Sequence, residues 1–263
     1  MRFFKIIIIT ILPFCLTNCT IKERVVFNED GTGEYLMSYD MGEFMKQMNS
    51  KMGSQSSSID KKNEVMDTTI VFKDIMETYK DSVAALPEDK RMAMEAVQDM
   101  YMKMTMDEEK GVFNFGIGLD FNSISDLANI GEKIEKAKSL NAQNDQVSAM
   151  KGSPLGKFMG ENNYNCSYEY TKNMFSRQTT LPENWDVEGL KFDETDETDN
   201  EFMAYFENAN YVIEYTFPKK IISHSIENAQ LSNSDKTITY KVSWLEFLKN
   251  PKLLDVNLKF ADE

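Results

Sequence analysis

The sequence predicts an α+β fold in which antiparallel hairpins form one or two sheets with helices packed on one side, and three patterns carry that reading. Two alternating runs, Ile21 to Phe27 and Tyr35 to Tyr39, flank Asn28-Glu29-Asp30-Gly31-Thr32-Gly33 and close as a hairpin on an Asp-Gly turn. Phe113, Phe115, Ile117, Leu119 and Phe121 alternate with Asn114, Gly116, Gly118 and Asp120, the period of a strand with one buried face. Met41, Met45, Met48 and Met52 recur with Phe44 at the spacing of an amphipathic helix.

In the first hairpin, pairing of the two runs puts Ile21, Val25 and Phe27 on the same face as Tyr35, Met37 and Tyr39. Gly53 to Ser58 is a polar break, and Thr69 to Phe72 reads as a short strand. Helices follow over 73–86 and 88–100, with Pro87 at the start of the second. Met100, Met102, Met104 and Met106 then alternate with Tyr101, Lys103 and Thr105, and the chain turns at Asp107-Glu108-Glu109-Lys110-Gly111 into the Phe113 strand. The second face of that strand, marked by Gly116 and Gly118, is bare enough for a backbone, a helix or a ligand to approach, and packing is the commoner use of such glycines.

Asn122-Ser123-Ile124-Ser125 offers capping for a helix to about Leu140. Residues 141–162 are polar and without periodicity. Tyr164 to Tyr170 reads as a strand, 186–200 as an acidic loop, and 202–206, 211–217, 221–226 and 237–242 as further strands. A helical turn over 244–249 precedes a last strand from Leu253 to Phe260. The chain therefore divides into a leader (1–18), an amino-terminal α+β lobe (19–140), a polar linker or loop (141–162) and a strand-rich carboxy-terminal lobe (163–263).

The leader has a basic head, Arg2 and Lys5, and an apolar run from Ile6 to Leu16 that ends on Leu16-Thr17-Asn18-Cys19. At about 20 residues needed to span a bilayer, this core is too short, and it reads as an export signal. Its end resembles a bacterial lipobox, with Asn18 in the place of the usual small residue. That resemblance implies diacylglyceryl transfer to the Cys19 thiol, cleavage before it and acylation of the new amino terminus. Several acyl chains, at roughly 0.8 kcal/mol per buried CH₂, make an effectively permanent membrane anchor. The competing readings are an ordinary secretory signal and an uncleaved amino-terminal anchor.

Removing residues 1–18 takes away two cations and no acids, so the net charge of -14 becomes -16. Such a chain is repelled by phosphate backbones and anionic headgroups, so nucleic acid is excluded as a partner and membrane attachment falls to the acyl chains on Cys19.

Two further signatures resemble known lipoproteins. Val25-Val26-Phe27-Asn28-Glu29-Asp30-Gly31-Thr32-Gly33-Glu34, close behind the lipobox, looks like the opening of uncharacterised Bacteroidetes lipoproteins. Phe217-Pro218-Lys219-Lys220-Ile221, then Asn228, then Ser234-Asp235-Lys236-Thr237-Ile238-Thr239-Tyr240 is similar to the core of the LppM-like lipoprotein domain, with Tyr240 where that pattern often has Trp, over about 210–244. The resemblance implies a compact α+β domain on an anchored lipoprotein, with lipid or glycolipid binding discussed for the family and no catalytic residues to carry over. Thr20-Ile21-Lys22-Glu23-Arg24 lacks the acidic run of surface-exported Bacteroidetes lipoproteins, which implies an outer-membrane anchor facing the periplasm.

Catalytic chemistry finds little support. Once Cys19 is modified, Cys166 is the remaining thiol of the mature chain; burial is expected for it, and its one possible base is His224, the sole histidine. One histidine and one thiol do not make a zinc set, and no cofactor is called for. An EF-hand register with Gly31 sixth puts Val26 first and Met37 twelfth, where oxygen ligands belong. Asp193 to Asp199 reads as a solvated acidic loop rather than a calcium site. Ser58-Ile59-Asp60-Lys61 and Ser148-Ala149-Met150-Lys151 match SxxK with no Lys-Thr-Gly partner. The methionine stripes suit core packing before an apolar-ligand groove or Cu(I).

The sequence thus predicts a non-enzymatic, membrane-anchored periplasmic binding or envelope-assembly module, for a lipid or an envelope protein. One version is a lipid groove between the Gly116/Gly118 face and the Met41–Met52 helix. The alternative is a carboxylate-dependent envelope hydrolase.

Overall fold

The structure, a computed structural model, describes residues 19–43, 45–46, 65–107, 109–140, 164–183, 185, 200, 203 and 206–262. The leader 1–18, the carboxy-terminal part of the Met41–Met52 helix, the linker 141–162, the acidic stretch 193–199 and both SxxK matches lie outside these residues.

Strands β1 (Thr20–Phe27) and β2 (Gly33–Asp40) form the first hairpin, and β3 (Val65–Val71) leads into short helices α1 (Phe72–Thr78), α2 (Lys80–Ala84) and α3 (Glu88–Ala96). Strands β4 (Met100–Asp107) and β5 (Val112–Phe121) make a second hairpin, followed by a 3-10 turn (Ile124–Leu127) and α4 (Ile130–Leu140). Next come β6 (Asn165–Tyr170), β7 (Met174–Thr180), β8 (Asn210–Thr216), β9 (Ile221–His224), β10 (Gln230–Leu231) and β11 (Thr237–Ser243). The chain ends with α5 (Trp244–Lys249), a 3-10 turn (Pro251–Leu254) and β12 (Val256–Phe260).

These strands build an eight-stranded sheet, in the order β10-β11-β8-β1-β2-β5-β4-β3, and a four-stranded sheet, β6-β7-β12-β9. Every pairing is antiparallel except β1 with β8. Strands from 19–140 and from 163–263 therefore share one sheet, and the architecture is sheet-dominated α+β.

Register explains the core. Ile21 pairs with Tyr39, Val25 with Tyr35, Tyr35 with Leu119 and Met37 with Ile117, so the alternating apolar residues of β1, β2 and β5 form one continuous face, as the period of 2 requires. The parallel β1–β8 register adds Tyr211, Ile213 and Tyr215 to that face. An aromatic layer then joins the two sheets: Phe27 stacks on Phe217 at 5.1 Å between ring centroids, Phe175 meets Tyr215 at 5.3 Å, and Phe217 meets Phe260 at 4.9 Å. Such ring pairs contribute about 0.5–1.5 kcal/mol each beyond the area they bury. Helix α4 covers the face beside β6, with Ile130 and Ile134 near Tyr35 and Met37.

The opposite face of the large sheet is tied by charge. Lys22 bridges Glu214 at 2.9 Å, Arg24 bridges Glu34 at 2.7 Å, and the Tyr101 hydroxyl donates to Glu34 at 2.7 Å. Gly118 lies under Tyr101, where a Cβ would come within 2.5 Å of the Tyr35 carbonyl oxygen and 2.6 Å of the Tyr101 hydroxyl. Both glycines of β5 are buried, Gly116 beneath Leu36. The bare face is thus filled by the protein's own side chains. Met41 packs in the core on the other side of the sheet from that face, and residues 47–52, which would line the rest of the expected groove, lie outside the described residues.

Three differences from the sequence reading have physical causes, and two further boundaries move. Within the expected strand over 202–206, the described residues Met203 and Phe206 are helical and the Glu207 N–H bonds the Met203 carbonyl, because a short apolar run has no period of its own. Strand β7 escapes periodicity because its inward face carries Arg177 and Thr179 beside Phe175, and Ser176 is buried on the other face. Strand β3 begins at Val65, four residues early, because all seven of its residues are exposed and no alternation marks it. The expected helix over 73–86 breaks at Tyr79, and the last strand starts at Val256 after a 3-10 turn.

Replacing Gly118 by Ala should cost roughly 1–3 kcal/mol, the usual range for overpacking, by pushing Tyr101 off Glu34. Urea unfolding checks this, and an unchanged midpoint would contradict the contact.

Candidate functional site

The inward row of β1 runs Ile21, Glu23, Val25, Phe27, and its second member is a carboxylate that is only 2% exposed. An unpaired charge at such depth costs several kcal/mol, so the neighbours must compensate. They do so from both sheets. Tyr211 and Tyr215 flank it on β8, because Glu23 pairs with Ile213 in the parallel register. Tyr211 donates to Glu23 Oε2 at 3.2 Å, and Tyr215 donates to Oε1. Across the interface, Tyr168 on β6 donates to Oε1 at 2.9 Å and Arg177 Nε on β7 lies 3.4 Å away.

Arg177 is 1% exposed and stands opposite Tyr168 in the β6–β7 register. Its Nη1 donates to Thr179 Oγ1 at 3.1 Å and to Asp255 Oδ1 at 3.3 Å, and Thr179 itself donates to Asp255 at 2.6 Å. One guanidinium thus sits between two carboxylates, one buried and one at the rim. Burial, the largest influence, works against the charge on Arg177, but Glu23 together with Cys166, Tyr215 and Tyr168 outweighs it and holds the guanidinium above its ordinary range. Burial first, and then the Glu23 charge, push the phenols of Tyr168, Tyr211 and Tyr215 well above the usual tyrosine range. All three therefore stay protonated and available as donors near neutral pH.

A cleft of about 20 Å³ reaches this cluster between α4 and β6, with Tyr35, Tyr164 and Cys166 on its walls and Glu23 and Arg177 at its floor. That volume admits a water, which needs about 10–15 Å³, and falls far short of the roughly 300 Å³ of a small-molecule pocket. Glu23 accepts three bonds on Oε1 and one on Oε2, so most of its acceptor capacity is used internally. The cluster is built to join sheets.

The residues singled out by sequence fare differently. Cys19 directly precedes β1, is buried, and its carbonyl accepts the Asn210 N–H at 3.2 Å. Cys166 is partly buried against Thr179, and burial, partly offset by Arg177, pushes its thiol up to about 11. His224 is no partner for it: the two occupy the outer strands of the small sheet with β7 and β12 between, about 14 Å at 4.8 Å per strand. The Asp30-Gly31 turn is a tight turn, with Gly31 at φ 86° and Asp30 bonding the Thr32 N–H at 3.0 Å. Among the described residues, no group of three or more His, Cys, Asp or Glu side chains converges to hold a metal ion, and no helix is long and apolar enough to cross a membrane.

Comparison with known proteins gives few leads. No family model matches the chain, and no curated protein matches it. Among solved structures, the NMR structure of the folded domain of Mycobacterium tuberculosis LppM is similar over 92% of this chain and 87% of that one, at 8% identity and a TM-score of 0.34. The resemblance is distant. Residues 210–243 form β8 to β11, and the Tyr240 hydroxyl donates to the Leu254 carbonyl at 2.6 Å.

The missed residues, Glu23 and Arg177, do leave a signal: each is a charge on the inward parity of a strand. Tyr215→Phe should lower stability by roughly 1.5–3 kcal/mol, the range for a bond to a charged group, read by urea unfolding. Cys166 should alkylate slowly at pH 7 and faster as pH rises toward 11, measured by mass spectrometry of iodoacetamide-treated native chain. Rapid modification at neutral pH would contradict its environment.

Proposed function

We propose that this chain is a non-enzymatic lipoprotein of the cell envelope, anchored through acyl chains on Cys19 to the outer membrane, facing the periplasm, and acting as an envelope-assembly module. The observation that carries the reading is the position of Cys19, the residue immediately before β1, with no spacer between the lipobox cysteine and a central strand of the large sheet. Acyl chains there would hold the sheet itself at the bilayer surface, and the net charge of -16 leaves the lipid as the attractive contact. The proposal requires that removal of residues 1–18 uncover the Cys19 thiol. Tethering to a surface raises the effective concentration of the domain for partners on the same membrane.

A protein partner is favoured over a lipid ligand, because the cleft above Glu23 is water-sized and the Gly116/Gly118 face is occupied by Leu36 and Tyr101. The hydrolase alternative would use a buried carboxylate pair, for which Glu23 and Asp255, which meet at Arg177, are the candidates among the described residues. Arg177 stands between them and Glu23 is engaged by three tyrosines, which favours the non-enzymatic reading.

The test is acylation in a lipoprotein-processing bacterial host. Wild-type chain should incorporate radiolabelled palmitate and partition into detergent phase, and Cys19→Ser should do neither while keeping its leader. Equal labelling and partitioning of the two would overturn the reading.

A further inference from the structure

Among the described residues, strand β3, Val65-Met66-Asp67-Thr68-Thr69-Ile70-Val71, ends the eight-stranded sheet, and all seven of its residues are exposed, Val65 to 73%. An edge strand presents a row of outward N–H and C=O groups, and proteins ordinarily blunt it with shortness, lysine, proline or a bulge. The other end of the same sheet follows that practice, since β10 has two residues. In the small sheet, β9 has four residues and a register shift where β12 pairs with it. Strand β3 has none of these devices: it pairs with β4 without a break from Val65 opposite Asp107 to Val71 opposite Tyr101.

Its sequence is also self-complementary. Turned antiparallel on itself about Thr68, it sets Val65 against Val71, Met66 against Ile70 and Asp67 against Thr69. The pairing must conserve sheet faces, so the neighbouring registers are two residues away. Centred on Asp67, the strand would set two carboxylates face to face; centred on Thr69, it would set Asp67 against Val71. The Thr68 centre avoids both.

We infer that β3 is a self-association edge, where a second copy of this chain pairs antiparallel about Thr68 and joins the two large sheets across a two-fold axis. The geometry is compatible with anchoring, although the inference does not depend on it. Four strand steps separate β3 from β1. At roughly 20–25° of twist per step, counted from the axis, β1 is turned on the order of 100° from the junction. A two-fold axis perpendicular to the sheet at β3 then leaves the two β1 strands running the same way, with both copies of Cys19 on one side.

The test uses full-length chain in detergent, with single cysteines on β3 and air oxidation. Thr68→Cys should form a disulfide-linked dimer, since residues directly opposite stand about 4.5–5.5 Å apart. Val65→Cys, equally on β3 but opposite Val71, should stay monomeric alone and cross-link when mixed with Val71→Cys. Sedimentation should show a dimer that Thr68→Lys converts to monomer. The inference is overturned if Thr68→Cys links no better than Val65→Cys, if wild-type chain sediments as a monomer, or if, in cells, the β3 cysteines capture a different envelope protein instead.

Discussion

The carboxylate of Glu23 is the point on which the two sheets are assembled. It enters from the centre of the large sheet, and the groups that make its burial tolerable come from β8 beside it and from β6 and β7 across the interface. A charge in that position specifies more than apolar contact can. Aromatic rings such as Phe27, Phe175 and Phe217 would still attract one another if the sheets slid, but a carboxylate, a guanidinium and three phenols are satisfied together in one arrangement. Burial of ionic groups often adds little net stability, so a role in fixing register is the physically sensible one here.

That role bears on function. Glu23, Arg177 and Tyr215, the groups that most resemble catalytic machinery, are turned toward one another, and the opening above them holds about a water molecule. The surfaces left for partners are then external: the end of the sheet at Cys19, where the proposed anchor leaves the fold without a spacer, and the open edge at β3. One lies on a central strand and the other at the end of the same eight-stranded sheet, and four strand steps connect them through continuous backbone hydrogen bonding.

Much of the fold was legible because strand period and burial agree. The β1–β2 hairpin, the Phe113 to Phe121 face and the methionine alternation of β4 all appear as expected, and the glycines of β5 serve packing. The failures share a cause. Strand β7 hides Arg177 and Thr179 where apolar residues are expected, β3 has no buried face, and Glu23 breaks the apolar stripe of its own strand. Hydrophobic patterning is blind to a polar core and to a bare edge, and those two features hold the chemistry of greatest interest. A charged residue on the inward parity of an otherwise apolar strand is the signal that would have exposed the cluster.

A double-mutant cycle on Glu23 and Arg177 tests the central claim most directly. Glu23→Leu and Arg177→Leu should each destabilise the chain by roughly 3–5 kcal/mol in urea unfolding, because the first leaves buried Arg177 to the rim carboxylate of Asp255 and the second takes the guanidinium from buried Glu23. The double variant should lose far less than the sum of the two. Additive losses would mean that the two residues act independently, and that the sheets are held by their aromatic layer alone.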